Sequence, residues 1–495
     1  MAVVTLPFAE YRPDASPIDG AFASVASGVF ARGPDSYGPL ASLSTFSDAL
    51  AARCQGAFAA RDKAGSVTNF AGDASKLYKL GGAAWSDVSK SGGYALPTDE
   101  AWRYEQFGEI VIAATISENP QAWTLGSSTA FADLAGSPPK ARHIAVMDPG
   151  FVMLGGLENY PNRLRWSAIE DPTDWPTVGT SEAAAKQSDQ QDVPVGGWIA
   201  GLCGAVGGAS GLVFMDTALY RLDYVGGRII FQISPIDRRR GLVAPDSIVN
   251  NGSAAFYLAD DGFYACDGQR ALPIGASRVD KAFWSEINQT YVHRIVGAAD
   301  PINKLAIWAV PTQNSANGDP DKLWIYNWQH DRWSTAAIDC ETIWRSMTAG
   351  YNADNADGLG FDTDTSPFGP DSRFWTGGKL QLSAFDRSHR YATFSGANLA
   401  ARIETGETDG KNGRRLFARG VRPLVDGGTV TAQIGYRDTP QAAVSYTTAT
   451  GPGVDGMCPQ RIDARFMRAR VDIAAGGSWT HAKAAQVDAD ASGGR

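Results

Sequence analysis

Positive charge is scarce in this sequence of 495 residues. Its 44 Lys and Arg stand against 53 Asp and Glu, for a formal charge of −9, and the basic residues are spread thinly. Phosphate binding is driven by basic patches, so affinity for nucleic acid over the whole surface is excluded. The five cysteines (Cys54, Cys203, Cys266, Cys340, Cys458) are far apart and odd in number, with no C-x-x-C. That excludes a disulfide framework or a zinc knuckle and fits a reducing cytoplasm. The start, MAVVTLPFAEYRP, has neither a basic cluster nor a long apolar run, so no signal peptide is expected. One uncharged stretch, WIAGLCGAVGGASGLVFM from Trp198 to Met215, is close to the roughly 18 residues that can span a bilayer. It carries G-x-x-x-G twice, at Gly204/Gly208 and Gly207/Gly211. Gly207-Gly208 breaks it in the middle, and two short buried strands joined by a glycine turn are the expectation.

Chemical signatures are equally sparse. His143, His293, His330, His389 and His481 never stand three or four residues apart, so no helical metal pair exists. There is no G-x-S-x-G, no P-loop, and no G-x-G-x-x-G in a βαβ setting. Neither an enzyme activity nor a cofactor is expected. SAIEDPTDW (Ser167 to Trp175) approaches the S-x-D-x-G-x-T-W turn of sialidase propellers, but Ile169 stands for the aspartate and Asp171 for the glycine. Asp171-Pro172 reads better as a turn starter. The acidic stretch from Asn352 to Asp371 offers Asp354, Asp357, Asp362 and Asp364 as hard oxygen ligands, yet the EF-hand spacing is not met. A solvated loop, serving as a gate or contact loop, is the expectation.

What the chain does have is glycine (55 residues), tryptophan (14) and a repeat. Glycine with aromatics and no long charged runs favours short strands and tight turns. A short apolar-aromatic segment recurs seven times: KLYKLGGAAWSDVS (76–89), QAWTLGSSTAFADL (121–134), RLRWSAIEDPTDWPTV (163–178), LYRLDYVGGRIIFQIS (219–234), FYACDGQRALPIGA (263–276), KLWIYNWQHDRWST (322–335) and RFWTGGKLQLSAF (373–385). Six copies carry an aromatic at one place: Tyr78, Trp123, Tyr220, Tyr264, Trp324 and Trp375. The third has Arg165 there, with Trp166 beside it. Two strand-like runs precede each copy, and successive copies lie about 42 to 60 residues apart, the length of a four-stranded propeller blade. A sheet apolar on both faces cannot bury them alone; stacking such sheets around an axis buries both. The pattern therefore predicts an all-β chain with a β-propeller of seven four-stranded blades over 51–387, its aromatics in the core between blades. A sugar-binding platform is the minor alternative. FSDALAARCQGAFAARD also scans with helical spacing, which leaves six blades plus an extra sheet open.

Residues 1–50 are rich in Ala, Ser, Gly and Pro and predict an extended arm that packs on something else. From 388 to 495 the blade pattern stops. RGVRPLV, TVTAQIGY, AVSYTTA, RFMRARVDI and SWTHAKAAQV, separated by DGG, GPG and AGG turns, predict a separate C-terminal β-domain with a mobile tail. Two basic spots stand out: Arg238, Arg239 and Arg240, and Lys411, Arg414, Arg415 and Arg419. Adjacent guanidiniums suit a subunit contact, a DNA phosphate, or nothing but solvent.

AFYLADDGFYACDG with the following VDKAFW, and NRLRWSAIEDPTDW, resemble blades of the tail nozzle proteins of short-tailed bacteriophages, also known as tail tubular protein B or packaged-DNA stabilisation proteins. RPLVDGG, IGYRDTPQ and CPQRIDARFMRARVDIAAGGSWTHA resemble their terminal β-domain, and the resemblance runs from about residue 60 to about residue 490. It implies a virion protein assembled in the bacterial host cytoplasm, six copies forming a ring below the portal and adaptor. Tail fibres or spikes would be its other partners. Double-stranded DNA would pass transiently along the axis of that ring, with no stable membrane insertion. A weakly acidic wall suits such a conduit. A glycan-binding or glycan-degrading tail protein, or a baseplate or fibre connector, is the alternative.

Overall fold

The structure is a computed structural model, and it describes residues 2–16, 20–348, 378–409 and 414–492. Among these the strands form seven four-stranded antiparallel blades. Blades 1 to 6 each use one continuous segment: 56–87, 103–133, 141–192, 199–237, 249–273 and 296–337. Their first strands stand side by side around an axis, with blade 7 adjoining both blade 6 and blade 1, so the ring is closed. The chain is an all-β propeller carrying a C-terminal β-domain.

The second strand of a blade shows why the sequence folds this way. Phe151–Leu157, Gly211–Met215, Ala255–Ala259 and Leu305–Val310 are buried at every residue. Both faces of these strands are covered by neighbouring blades, so the segments read as continuous apolar runs instead of alternating ones. The uncharged stretch from Trp198 belongs here. Ile199–Cys203 and Gly211–Met215 are paired strands of blade 4, and Gly207 and Gly208 turn the chain between them at φ 54° and 84°. No helix among the described residues is long and apolar enough to cross a membrane.

Blade 6 holds the densest aromatic core. Trp308 and Trp324 are cross-strand partners, Trp333 faces Tyr326, and all three tryptophans are fully buried. Phe263 of blade 5 packs on Trp308 and Trp333 with ring centroids 4.6 and 4.9 Å apart. The polar interruption Asn327 to Asp331 is the hairpin turn. Asn327 Oδ1 accepts from the Gln329 and His330 amides at 2.9 Å each, and Asp331 takes φ 52°. The helical reading of FSDALAARCQGAFAARD fails: Ser44–Ala49 and Gly56–Arg61 are both strands, in different blades.

Blade 7 differs from the expectation. Its strands are Thr342–Met347, Leu380–Phe385, Arg390–Thr393 and, outermost, Ser44–Ala49 from the N-terminal arm. Leu380–Phe385, placed in the seventh repeat copy, is thus the second strand, and Tyr391 takes the place of the third-strand aromatic. Trp375 lies outside the described residues. The propeller therefore reaches beyond the boundaries expected at 51 and 387. The physical reason is closure: a strand from the far end of the chain pairs with the third strand of the last blade and packs beside the first blade.

The C-terminal domain is two packed sheets. One joins Ala2–Pro7, Val29–Gly33, Ser36–Pro39, Leu416–Val425, Cys458–Ala464 and Ala482–Ala491. The other contains Ala401–Glu404, Val430–Arg437, Ser445–Tyr446 and Phe466–Ile473, the last alternating strictly between half-buried and buried residues. This second sheet continues into blade 6. Val25–Ser27 pairs in parallel with Arg332–Ala337 and antiparallel with Ala401–Glu404, giving one ten-stranded sheet. A single core runs across the junction, from Trp308 and Trp333 through Phe8 and Ala26 to Ile403 and Val471. Arg332 pins the arm, donating to the Phe8 carbonyl at 2.8 Å and the Pro34 carbonyl at 2.9 Å. Glu404, 1% exposed, meets Arg468 at 2.6 Å and Arg470 at 2.7 Å, and accepts from Ser24 Oγ at 3.1 Å. Removing Glu404 would leave two largely buried guanidiniums without their shared counter-charge.

Candidate functional site

The first strands of the blades line an axial cavity of about 420 Å³. A salt bridge crosses it. Arg103 starts the first strand of blade 2, and Asp246 precedes that of blade 5, nearly opposite in a ring of seven. Arg103 Nε and Nη2 donate to the two carboxylate oxygens at 2.8 and 3.0 Å, and Nη1 donates to the Arg142 carbonyl at 2.9 Å. The bidentate fork satisfies both partners and bars the axis at this level. His143 lies beside it, 3% exposed; burial, reinforced by Arg103 and Arg142, holds its pKa well below the usual value and keeps the ring neutral. Further along, burial pushes the half-buried Glu105 up to about 7, against the pull of the Gln106 amide and Arg345.

On the same side as Asp246, the loops leading into the first strands bring Arg53, Asp99, His293 and Arg294 to the mouth of the cavity. His293 Nε2 lies 3.1 Å from Asp99 Oδ1. Among the described residues no group of three or more His, Cys, Asp or Glu could hold a metal ion. All five cysteines are buried and free. A second cavity, of about 480 Å³, lies between the sheets of the C-terminal domain, lined by Val4, Leu6, Leu416, Ile434, Met467 and Val487.

The residues singled out in the sequence do not converge on this channel. Arg240 is bound in its own blade surroundings, by Asp261 at 2.9 Å and Asp237 at 3.4 Å, with its guanidinium 5.3 Å from the Tyr264 ring. Arg238 and Arg239 are exposed, and their side chains make no bond to a described residue. In the second basic spot Arg415 is held by Asp463 at 2.8 Å and Asp438 at 2.9 Å, and Arg419 by Asp490 at 2.8 Å. Arg414 is exposed at the domain cavity. Lys411, Asp354, Asp357, Asp362 and Asp364 lie outside the described residues.

Tyr78, Trp123, Tyr220, Tyr264 and Trp324 are each 7% exposed or less, packed between blades. The exception in the third repeat is also buried: Arg165 donates to the carbonyls of Trp166 and Pro176 at 2.6 and 2.7 Å and to Ser188 Oγ at 2.7 Å. In SAIEDPTDW, Asp171 Oδ1 accepts from the Thr173 amide at 2.9 Å and its hydroxyl at 2.7 Å, the geometry of a turn starter. Sequence reasoning missed Arg53, Arg103, Asp246 and Arg294. Their shared signal is position, since each stands at or just before the first strand of its blade.

Fold and channel together define the class: a seven-bladed propeller, barred along its axis and joined by a shared sheet to a β-sandwich. No protein-family model matches the chain, and no curated protein matches it. Solved structures of similar shape include the WD40 domain of Pan2 from Neurospora crassa, with TM-score 0.35, 7% identity, and coverage of 72% of this chain and 88% of that one. The computationally designed Ika8 protein gives TM-score 0.35 at 8% identity, covering 72% of this chain and 98% of the design. Likeness at this level carries no function.

Proposed function

We propose that the chain is a structural, non-enzymatic subunit of a bacteriophage tail, a nozzle or hub protein. In this reading several copies, six by resemblance, form a ring below the portal and adaptor. The ring retains the packaged genome, meets tail fibres or spikes, and passes DNA along its own axis at infection. The observation that carries the reading is the ten-stranded sheet that runs from blade 6 through Val25–Ser27 into the C-terminal domain. A wall that must withstand pressure needs lobes that do not hinge, and a shared sheet with one core supplies that. The barred propeller axis accords with DNA running between subunits and not through one of them.

Electron microscopy of the purified protein tests this directly. Rings with an open centre are expected, together with weak, non-specific DNA binding that rising salt abolishes well before physiological concentration is reached. Monomers at every concentration, or release of fragments from host polysaccharide, would overturn it.

A further inference from the structure

Arg53 is an anomaly at the channel mouth. Its side chain is 26% exposed, yet none of its five donors makes a hydrogen bond to a described residue, and Nε is fully shielded from solvent. Arg294, 12% exposed, likewise has a shielded Nε with no partner, although its Nη1 donates to the Asn317 carbonyl at 2.6 Å. Both guanidiniums form long ion pairs with the same atom, Asp319 Oδ1, at 3.6 and 3.7 Å, beyond hydrogen-bond range. Asp319 is engaged elsewhere, taking Asn317 Nδ2 on Oδ2 at 2.5 Å. The other carboxylates nearby are also committed. Glu341 accepts from the Cys54 amide at 2.9 Å and holds His389. Asp99 faces His293 and stands 3.6 Å from Arg294. Burial, followed by the neighbouring charge of Arg294, lowers the pKa of Arg53, and the pull of Asp319 does not offset them.

A buried donor left without a partner is costly. The unbonded Nη donors of Arg53, with the Arg294 charge beside them at the rim of a cavity, match a planar carboxylate. We propose that the Arg53–Arg294 recess binds the carboxylate of an acidic segment from a partner polypeptide. Charge decides against phosphate, because Asp99 and Asp319 flank the recess and a dianion would meet both. A single carboxylate closes the two long contacts without adding a second charge. The proposal stands independently of the tail reading, since it rests on the recess alone.

The test is calorimetric titration of the full chain, at fixed ionic strength, with acetyl-Gly-Glu-Gly-amide, its Gln counterpart and inorganic phosphate. The Glu peptide should bind saturably and at least about tenfold more tightly than either of the others. Arg53→Met should lose about tenfold, and Arg53→Lys, which keeps the charge but not the fork, should lose part of that. Equal binding of the Glu and Gln peptides, stronger binding of phosphate, no binding at all, or an Arg53→Lys protein that binds like the parent would each overturn the proposal. If Arg53→Met does not fold, the peptide pair and Arg53→Lys still decide it.

Discussion

Blades 6 and 7 have the same architecture and opposite origins. Blade 6 is one run of chain, 296–337, and its stability is local: three buried tryptophans stand in adjacent strands. Blade 7 is gathered from two pieces, three strands within 342–393 and an outermost strand about 340 residues from its neighbour along the chain. Its seam with blade 1 joins an apolar cluster of Tyr78, Trp344, Phe385 and Tyr391 to a set of polar contacts. Ser47 Oγ accepts from the Tyr391 amide at 3.1 Å and from Trp85 Nε1 at 2.9 Å, so one hydroxyl ties the outer strand, the third strand and blade 1 together. Glu341 adds the Cys54 amide and His389. Apolar packing holds each blade to its neighbours, and at the seam directional bonds to distant chain are added to it.

The largest expected effect lies in blade 6. Trp324→Ala should cost roughly 3–5 kcal/mol, measured by denaturant unfolding, through lost burial and the cavity left behind. Unchanged stability with loss of a carbohydrate ligand would return the aromatics to the platform reading. At the seam the cost should be smaller and polar in kind. Glu341→Ala leaves the buried Cys54 amide unpaired and should cost about 1–3 kcal/mol. If it costs as much as Trp324→Ala, the contrast between the two blades is wrong.

The channel offers a pH-dependent comparison. The folded-state pKa of Glu105, about 7, lies above its ordinary value of 4.5. A raised acid is neutral and harmless at low pH, and its penalty grows as pH rises from about 4.5 through 7. Glu105→Gln should therefore stabilise the protein progressively over that range, by on the order of 1–2 kcal/mol at pH 8 once channel water is allowed for. Melting temperatures of parent and variant across pH read the difference; parallel curves would contradict it. The smallest effect belongs to the surface. Arg415→Ala breaks pairs with Asp463 and Asp438 and should cost under about 1 kcal/mol.

The same contrast explains what the sequence made legible. The aromatics from Tyr78 to Trp324 recur at one place because each blade repeats one burial problem, and blades 1 to 6 follow from them. Tyr391 escaped because its strand lies past the point where the repeat was expected to end. Ser44–Ala49 escaped because an outer strand of six residues, mostly exposed, carries almost no apolar signal. The Arg103–Asp246 bar was invisible for a related reason: 143 residues separate the partners, and only the closed ring brings them together. Charge pairs across an axis leave no periodic trace in a sequence, unlike packing within a blade.

Closure of the ring by the N-terminal arm is the claim on which the rest depends, and hydrogen exchange of the intact protein tests it most directly. Amides of Ser44–Ala49 that face Arg390–Thr393 should be protected together with that strand and lost in the same opening event. Exchange of 44–49 within seconds, while 390–393 stays protected, would mean that the arm does not complete blade 7 and that the ring is held some other way.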